Sequence, residues 1–259
     1  MYKNIFDTHA HYTESCFDND RDIIIPQMHN NGVKYILISV SNIADSLNAL
    51  EISHKYPYVF TAVGIHPECL DTVDDNYIEQ IEKIALSHSA KVKAIGEIGM
   101  DYHYENYDKN IMSEIFINQI KLSNRLGLPV IIHSRDATKD TLEILRKNTP
   151  DKGVVHCFSG SAQTALELLD MGLYISFTGV LTFNNARKAI EALGVIPTDR
   201  LMLETDCPFM APVPWRGQRC DSSMIPMIAQ KAAEVKCMST QEMLDITCEN
   251  AIRFFNISI

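Results

Sequence analysis

His9 and His11 stand two residues apart in the run Ile5-Phe6-Asp7-Thr8-His9-Ala10-His11. In an extended strand, residues i and i+2 point the same way, so both imidazoles leave one face at the strand's C-terminal end. Four more residues of metal-ligand type close or follow short apolar runs. Glu97 follows Ala94-Ile95-Gly96, His133 follows Val130-Ile131-Ile132, His156 follows Val154-Val155, and Asp206 follows Leu201-Met202-Leu203-Glu204-Thr205. Buried His, Glu and Asp are costly unless paired or bound to metal, so six in equivalent positions point to a cation site. Four imidazoles and two carboxylates exceed what one catalytic ion with an open position uses, since catalytic zinc takes three protein ligands and a water. Two divalent ions per chain fit the count. A His-rich set favours Zn²⁺, Mn²⁺ or Fe²⁺ over Mg²⁺, and two ions about 3.5–4 Å apart can clamp the attacking and leaving oxygens of a phosphoryl transfer.

Strands and helices must bring these residues together. Short runs rich in Val, Ile and aromatics recur at 5–11, 35–40, 60–66, 94–101, 129–135, 153–160, 174–179 and 200–206, as buried parallel strands do. Between them lie segments with apolar residues at three- and four-residue spacing, such as Ile43–Tyr56 and Ile111–Gly127, which predict helices. Ser161 and Gly172 stand as N-cap and C-cap of one of them. Eight strands alternating with helices predict a (β/α)8 TIM barrel, a single domain over 1–259, in which the strand ends converge on one functional face. The Pro-rich stretch 207–221 predicts an irregular loop, followed by two extra C-terminal helices over 222–235 and 239–255.

The 259 residues include 23 Lys+Arg against 33 Asp+Glu, a formal charge of −10. That balance excludes a protein gripping duplex DNA along a broad basic face, while leaving room for a nucleic-acid substrate held locally through metal ions. The seven cysteines are scattered without a CxxC, which reads as reduced thiols in a cytoplasmic protein. No apolar run is long enough for a membrane helix, and no obligatory protein partner is implied.

Six ordered segments carry a resemblance. They are Phe6-Asp7-Thr8-His9-Ala10-His11, Gly64-Ile65-His66-Pro67, Gly96-Glu97-Ile98-Gly99-Met100-Asp101-Tyr102, His133-Ser134-Arg135, His156-Cys157-Phe158-Ser159-Gly160 and Glu204-Thr205-Asp206. Together they resemble the TatD-type metal-dependent deoxyribonucleases, which belong to the amidohydrolase-like TIM barrels. The resemblance implies divalent-metal dependence and hydrolysis of DNA phosphodiesters, often from the 3′ end. It also implies metal ligation by His9, His11, Glu97, His133, His156 and Asp206, with Glu97 matching the shared carboxylate. In the late loop, Gln218, Cys220 and Ser222 stand where relatives commonly carry Lys, Asn and Pro.

The expected function is therefore a 3′-5′ exodeoxyribonuclease preferring single-stranded ends, with Asp206 and Glu97 as its catalytic carboxylates. The alternative is a metal-dependent amidohydrolase or esterase acting on a small molecule. Arg135 and Arg216 are the expected phosphate contacts, since a planar guanidinium suits a phosphate, with Arg219 a further candidate. Glu204, Asp101 and His66 are expected to support the ligands, with Glu204 on Asp206's face one layer deeper. His103 is a candidate for the mouth lining, and Phe209 or Trp215 for stacking a base. Alternation turns Cys157 and Cys207 away from the metals, and His29, His54 and His88 fall in helical patterns remote from strand ends.

Overall fold

The computed structural model describes residues 1–103 and 108–258. Its strands are β1 Ile5–Ala10, β2 Val33–Ile38, β3 Val59–Val63, β4 Val92–Asp101, β5 Val130–Arg135, β6 Gly153–Val155, β7 Tyr174–Phe177 and β8 Leu201–Leu203. The α-helices are α1 Arg21–Asn30, α2 Ile43–Lys55, α3 Tyr77–Ser87, α4 Lys109–Leu126, α5 Thr138–Lys147, α6 Ala162–Asp170, α7 Arg187–Val195, α8 Ile225–Lys236 and α9 Thr240–Phe254. The strands follow one another in chain order within one eight-stranded sheet, and the fold is the TIM barrel the alternation predicts. Among the described residues, no helix is long and apolar enough to cross a membrane.

Two compact units share the chain. The first comprises Met1–Ile38, Cys157–Asp170 and Tyr174–Ile259. In it β1 runs parallel to β2, with Phe6 opposite Tyr35 and Asp7 opposite Ile36. All six residues of β1 are buried, which is why this strand reads as a continuous run rather than an alternating one. Its other edge meets the segment after β8 through a parallel bridge between Ala10 and Cys207. Helix α9 starts on a reciprocal Ser239–Glu242 capping box. The buried Asn250 of that helix donates to the Thr198 and Leu201 carbonyls at 2.7 and 2.8 Å, fixing the entry to β8.

The second unit comprises Ser39–His156 and Met171–Leu173. Strand β4 pairs with β3 on one side and β5 on the other, and the β4–β5 ladder slips between Ile95 and Ile98. Glu97 sits in that slip, where a bulge re-aims a side chain. Gly99 has φ +152°, and a Cβ there would overlap the His133 carbonyl oxygen. A side chain at this position would push β4 off β5 and separate Glu97 from His133. Helix α4 buries Met112, Ile115, Phe116 and Ile120, and its buried Gln119 bonds both backbone groups of Ile65. That amide fixes the exit of β3 just before His66.

Several strands are shorter than the runs that predict them, β6 and β8 most of all. Strand β8 ends at Leu203, so Asp206 lies beyond the strand, with φ +57°. Glu204 N–H still donates to the Phe177 carbonyl of β7 at 3.1 Å, and only past it do the backbone donors leave that ladder. Thr205 N–H goes to the Asp7 carboxylate at 2.9 Å and Asp206 N–H to the His9 carbonyl at 2.9 Å. Strand β6 ends at Val155, one residue before His156, and Cys157 has φ +45°. Both ligand candidates therefore sit on the turns that leave the strands, where period-two alternation no longer applies.

Candidate metal centre

In the first unit, His9 Nε2 and His11 Nε2 lie 3.1 Å apart. Asp206 Oδ1 is 3.2 Å from the nitrogen of His11 and 3.6 Å from that of His9. Ligand atoms about 2.1 Å from a tetrahedral ion stand roughly 3.4 Å from one another, so these three atoms have the spacing of a set around one cation. His9 and Asp206 are buried and His11 half-buried, and a cluster of that kind fits a metal better than it fits bulk solvent. The backbone holds it from both directions, because His11 N–H also donates to the Cys207 carbonyl at 2.8 Å. Asp206 is in the left-handed region, which costs a non-glycine residue about 1–2 kcal/mol and which Asp and Asn visit most readily among the others.

The second unit gathers another set around Glu97. Its Oε1 lies 2.7 Å from His133 Nδ1, 2.6 Å from His156 Nε2 and 3.4 Å from His66 Nε2. The far nitrogen of His133 donates to Asp101 Oδ2 at 2.8 Å, which leaves Nδ1 as the atom aimed at Glu97 and His156. A carboxylate behind an imidazole in this way fixes the ring and raises its basicity. Burial alone would lower the His133 pKa, but the hydrogen bonds to Asp101 and Glu97 outweigh it and raise the value above 6.5. Burial pushes Asp101 the other way, and the hydrogen bonds from His133 and the His103 backbone outweigh that and lower it.

His66 enters this set more closely than its place in a Gly-Ile-His-Pro turn suggests. Its Nδ1 accepts the Glu68 backbone N–H at 3.1 Å. A neutral imidazole that accepts at Nδ1 carries its proton on Nε2, the atom facing Glu97. His66 therefore presents a donor there rather than a lone pair.

Glu204 is buried one layer below Asp206 in sequence order. Its Oε1 accepts from Cys157 N–H at 2.6 Å and its other oxygen from the Ser176 hydroxyl. It thereby anchors the left-handed turn that follows His156. Arg135 is the last residue of β5, exposed, and 3.8 Å from Glu68. Arg216 lies over the Phe183 ring at 4.4 Å. Arg219 is committed elsewhere: it forks onto Asp20, donates to the Cys16 carbonyl at 2.7 Å and covers the Phe17 ring, a structural role in place of the phosphate contact considered for it. His103 is half-exposed beside Asp136 at 3.6 Å. Cys207 is fully buried and the Cys157 sulfur faces the Thr178 hydroxyl. His29 caps the Val33 carbonyl, and His54 and His88 pair with each other at 3.1 Å on the surface, all remote from the ligand sets in sequence role.

Phe209, Met210, Val213 and Trp215 are all exposed on the loop after β8, with Phe209 52% accessible. The Phe209 ring lies 6.3 Å from that of His11. Large apolar side chains left in solvent beside a ligand pair form a surface on which a planar group can lie.

Asp7 is the residue that sequence reasoning passed over. It is fully buried and accepts from Thr205 N–H at 2.9 Å, Thr205 Oγ1 at 2.5 Å and Ser222 Oγ at 2.7 Å. Burial pushes its carboxyl up to about 7, against the lowering effect of those hydrogen bonds. The only signal available was a carboxylate inside an otherwise apolar strand start.

The profile of the family described as TatD related DNase matches residues 6–256. An uncharacterized metal-dependent hydrolase of Bacillus subtilis strain 168, YabD, is 40% identical over 256 residues, covering 98% of this chain and 100% of its own. YcfH of Escherichia coli K12, with the same description, is 35% identical over 258 residues, covering 98% and 96%. The solved structure of YJJV, a TatD homologue from Escherichia coli K12, superposes with a TM-score of 0.93 at 27% identity over the full length of both chains.

Proposed function

We infer the reaction from two premises: the chain belongs to the TatD related DNase family, and its strand ends carry two sets of metal-ligand atoms. It is a metal-dependent hydrolase. We propose that the bond it breaks is a DNA phosphodiester, taken from single-stranded 3′ ends. The observation that carries this reading is the approach of His9 Nε2, His11 Nε2 and Asp206 Oδ1 to within 3.1–3.6 Å of one another. In a TIM barrel, catalytic groups come from the C-terminal ends of several strands; here His9 and His133 lie late in β1 and β5, His11, His156 and Asp206 just beyond β1, β6 and β8, and Glu97 at the bulge within β4.

His9, His11 and Asp206 would hold one divalent ion, and Glu97, His133 and His156 would serve a second; bound there, such ions would supply Lewis acidity toward a phosphoryl oxygen and lower the pKa of water. Asp206 takes the proton of the attacking water at its carboxylate. Asp101 holds the His133 ring, and His66 offers its Nε2 proton toward anionic oxygen. Arg135 and Arg216 offset charge on the phosphate. With no organic cofactor to carry the reaction, positioning and electrostatics supply the rate.

The substrate preference follows from charge and shape. A net charge of −10 argues against a broad basic face for a stiff duplex, whereas a single strand can bend and stack a base on Phe209 or Trp215. Single-stranded or frayed 3′ ends should be cut faster than blunt duplex interiors, with a shallow salt dependence because few phosphates meet protein cations. Initial rates on matched single-stranded, blunt-duplex and nicked-circle substrates at two salt concentrations test this, with product lengths read to establish the direction of cutting. Equal or faster cutting within intact duplex, with a steep salt slope, rejects it. Hydrolysis of small amides or lactones without any cutting of oligonucleotides would replace the DNA reading altogether.

Protons compete with the metal. The raised His133 holds a proton on Nδ1 toward Glu97 above pH 6.5 in the metal-free protein, and a ligand nitrogen must be neutral. Metal uptake at pH 6 should therefore release more protons than uptake at pH 8. Calorimetry in buffers of different ionisation enthalpy counts them. A proton count independent of pH would remove His133 from the ligand set.

A further inference from the structure

We propose that Asp7 is a positioning residue: its buried carboxylate sets the turn that brings Asp206 to the His9–His11 pair. The inference rests on the reading of these three residues as one ion's ligands. Asp7 lies on β1 two residues before His9, whose N–H donates to it at 3.4 Å, while its other partners lie far along the chain, Thr205 at a separation of 198 residues and Ser222 at 215. Both Thr205 donors, backbone N–H and hydroxyl, end on the two Asp7 oxygens. The residue immediately before Asp206 is thus clamped at two points to the strand that carries His9 and His11.

The clamp acts where the backbone would otherwise relax. Asp206 is held at φ +57° and Thr205 is fully buried, so neither is free to choose its conformation. A left-handed non-glycine residue persists only where its surroundings over-determine it. The surroundings here are countable: Thr205 on Asp7, Asp206 N–H on the His9 carbonyl at 2.9 Å, and the Thr205 hydroxyl accepting Cys207 N–H at 3.2 Å. Ser222 closes the set. Its hydroxyl donates to Asp7 at 2.7 Å and lies 2.8 Å from Tyr12 Oη, which in turn accepts Ser222 N–H at 3.0 Å. Tyr12 is one residue past His11, so the same network fixes both ends of the His9–His11 segment.

Asp7 touches neither His ring nor the Asp206 carboxylate in this network, and its effect passes through backbone position. An Asn in its place would keep one oxygen for Thr205 N–H and turn an NH₂ toward the Thr205 and Ser222 hydroxyls, which would have to switch from donating to accepting while still serving Cys207 N–H and Tyr12 Oη. The turn should loosen and the Asp206 oxygen should lose its fixed distance from the imidazoles. Removing a group that orients a metal ligand commonly weakens metal binding about 10–100-fold.

Mn²⁺ and Zn²⁺ binding isotherms on the full chain test the proposal, for wild type, Asp7→Asn, Thr205→Val, Ser222→Ala and His11→Ala. Asp7→Asn should weaken by about 10–100-fold the same ion that His11→Ala weakens, and leave the other within about three-fold. Thr205→Val removes one donor without introducing a misplaced one, and should shift that same ion by a smaller factor should Asp7→Asn fail to fold. Raising the metal concentration should restore turnover in Thr205→Val with KM for the oligonucleotide unchanged. Unchanged affinities in a folded Asp7→Asn or Thr205→Val overturn the proposal, as does an equal loss of both ions in parallel with the melting temperature. A wild type that binds no ion overturns the functional reading itself and this inference with it.

Discussion

Asp206→Asn should lower kcat by about 10²–10⁴-fold while the protein still folds and still binds metal, the range general-base catalysis typically contributes. The substitution suits this site for a conformational reason. Asp206 is held at φ +57°, and Asn tolerates that region while Ala does not. Asp206→Ala would mix the loss of a proton acceptor with a backbone cost of about 1–2 kcal/mol and a displaced turn. Asn keeps the side-chain shape and one carbonyl oxygen for the ion near His9 and His11, and loses the basic oxygen. Single-turnover rates at saturating Mn²⁺, with metal content measured on the same sample, separate the two effects. Turnover within about ten-fold of wild type would remove Asp206 from proton transfer and leave it a ligand only.

The second large effect is on stoichiometry. The loaded protein should hold two ions, because the ligand groups among the described residues include two with no residue in common, His9–His11–Asp206 and His66–Glu97–His133. His11→Ala should lower the ceiling to one, and His9→Ala with His11→Ala should do so at any attainable metal concentration. The single variant comes first because His11 is half-buried, whereas His9 is fully buried and its removal also opens a hole in β1. Elemental analysis after Zn²⁺ or Mn²⁺ loading measures the ceiling, with DNA cleavage expected to fall along with it. A wild-type protein that never exceeds one ion would reject the paired arrangement.

Most of this architecture was legible in the chain. Buried parallel strands write themselves as apolar runs, and the expected ligands on five of the eight runs are visible because polar groups there have no other reason to recur. The bulge that carries Glu97 and the turns that carry His156 and Asp206 were not legible. The left-handed turns at Cys157 and Asp206 depend on hydrogen bonds to residues far away in sequence. Glu204 was placed by alternation, which does not show its partners, Cys157 N–H and the Ser176 hydroxyl. His66 looked like a turn residue because the bond that fixes its tautomer comes from a backbone N–H two residues on, which no side-chain pattern encodes. Arg219 resembled a phosphate ligand until Asp20, 199 residues earlier, was seen to occupy it. Asp7 was hidden for the same reason, its partners lying on the opposite end of the chain.

That separation has a consequence for synthesis. Strand β1 is made first, yet the segment that covers its second edge begins 198 residues later. At about 5–20 residues per second, the ribosome needs roughly 10–40 s to deliver it. Throughout that interval a strand destined for complete burial stands with one row of backbone donors and acceptors open, which is the geometry that recruits a neighbouring nascent chain. Polysomes translating this message at high density should therefore be the place where misassembly begins, and slowing initiation should raise the soluble yield more than lowering the temperature after release.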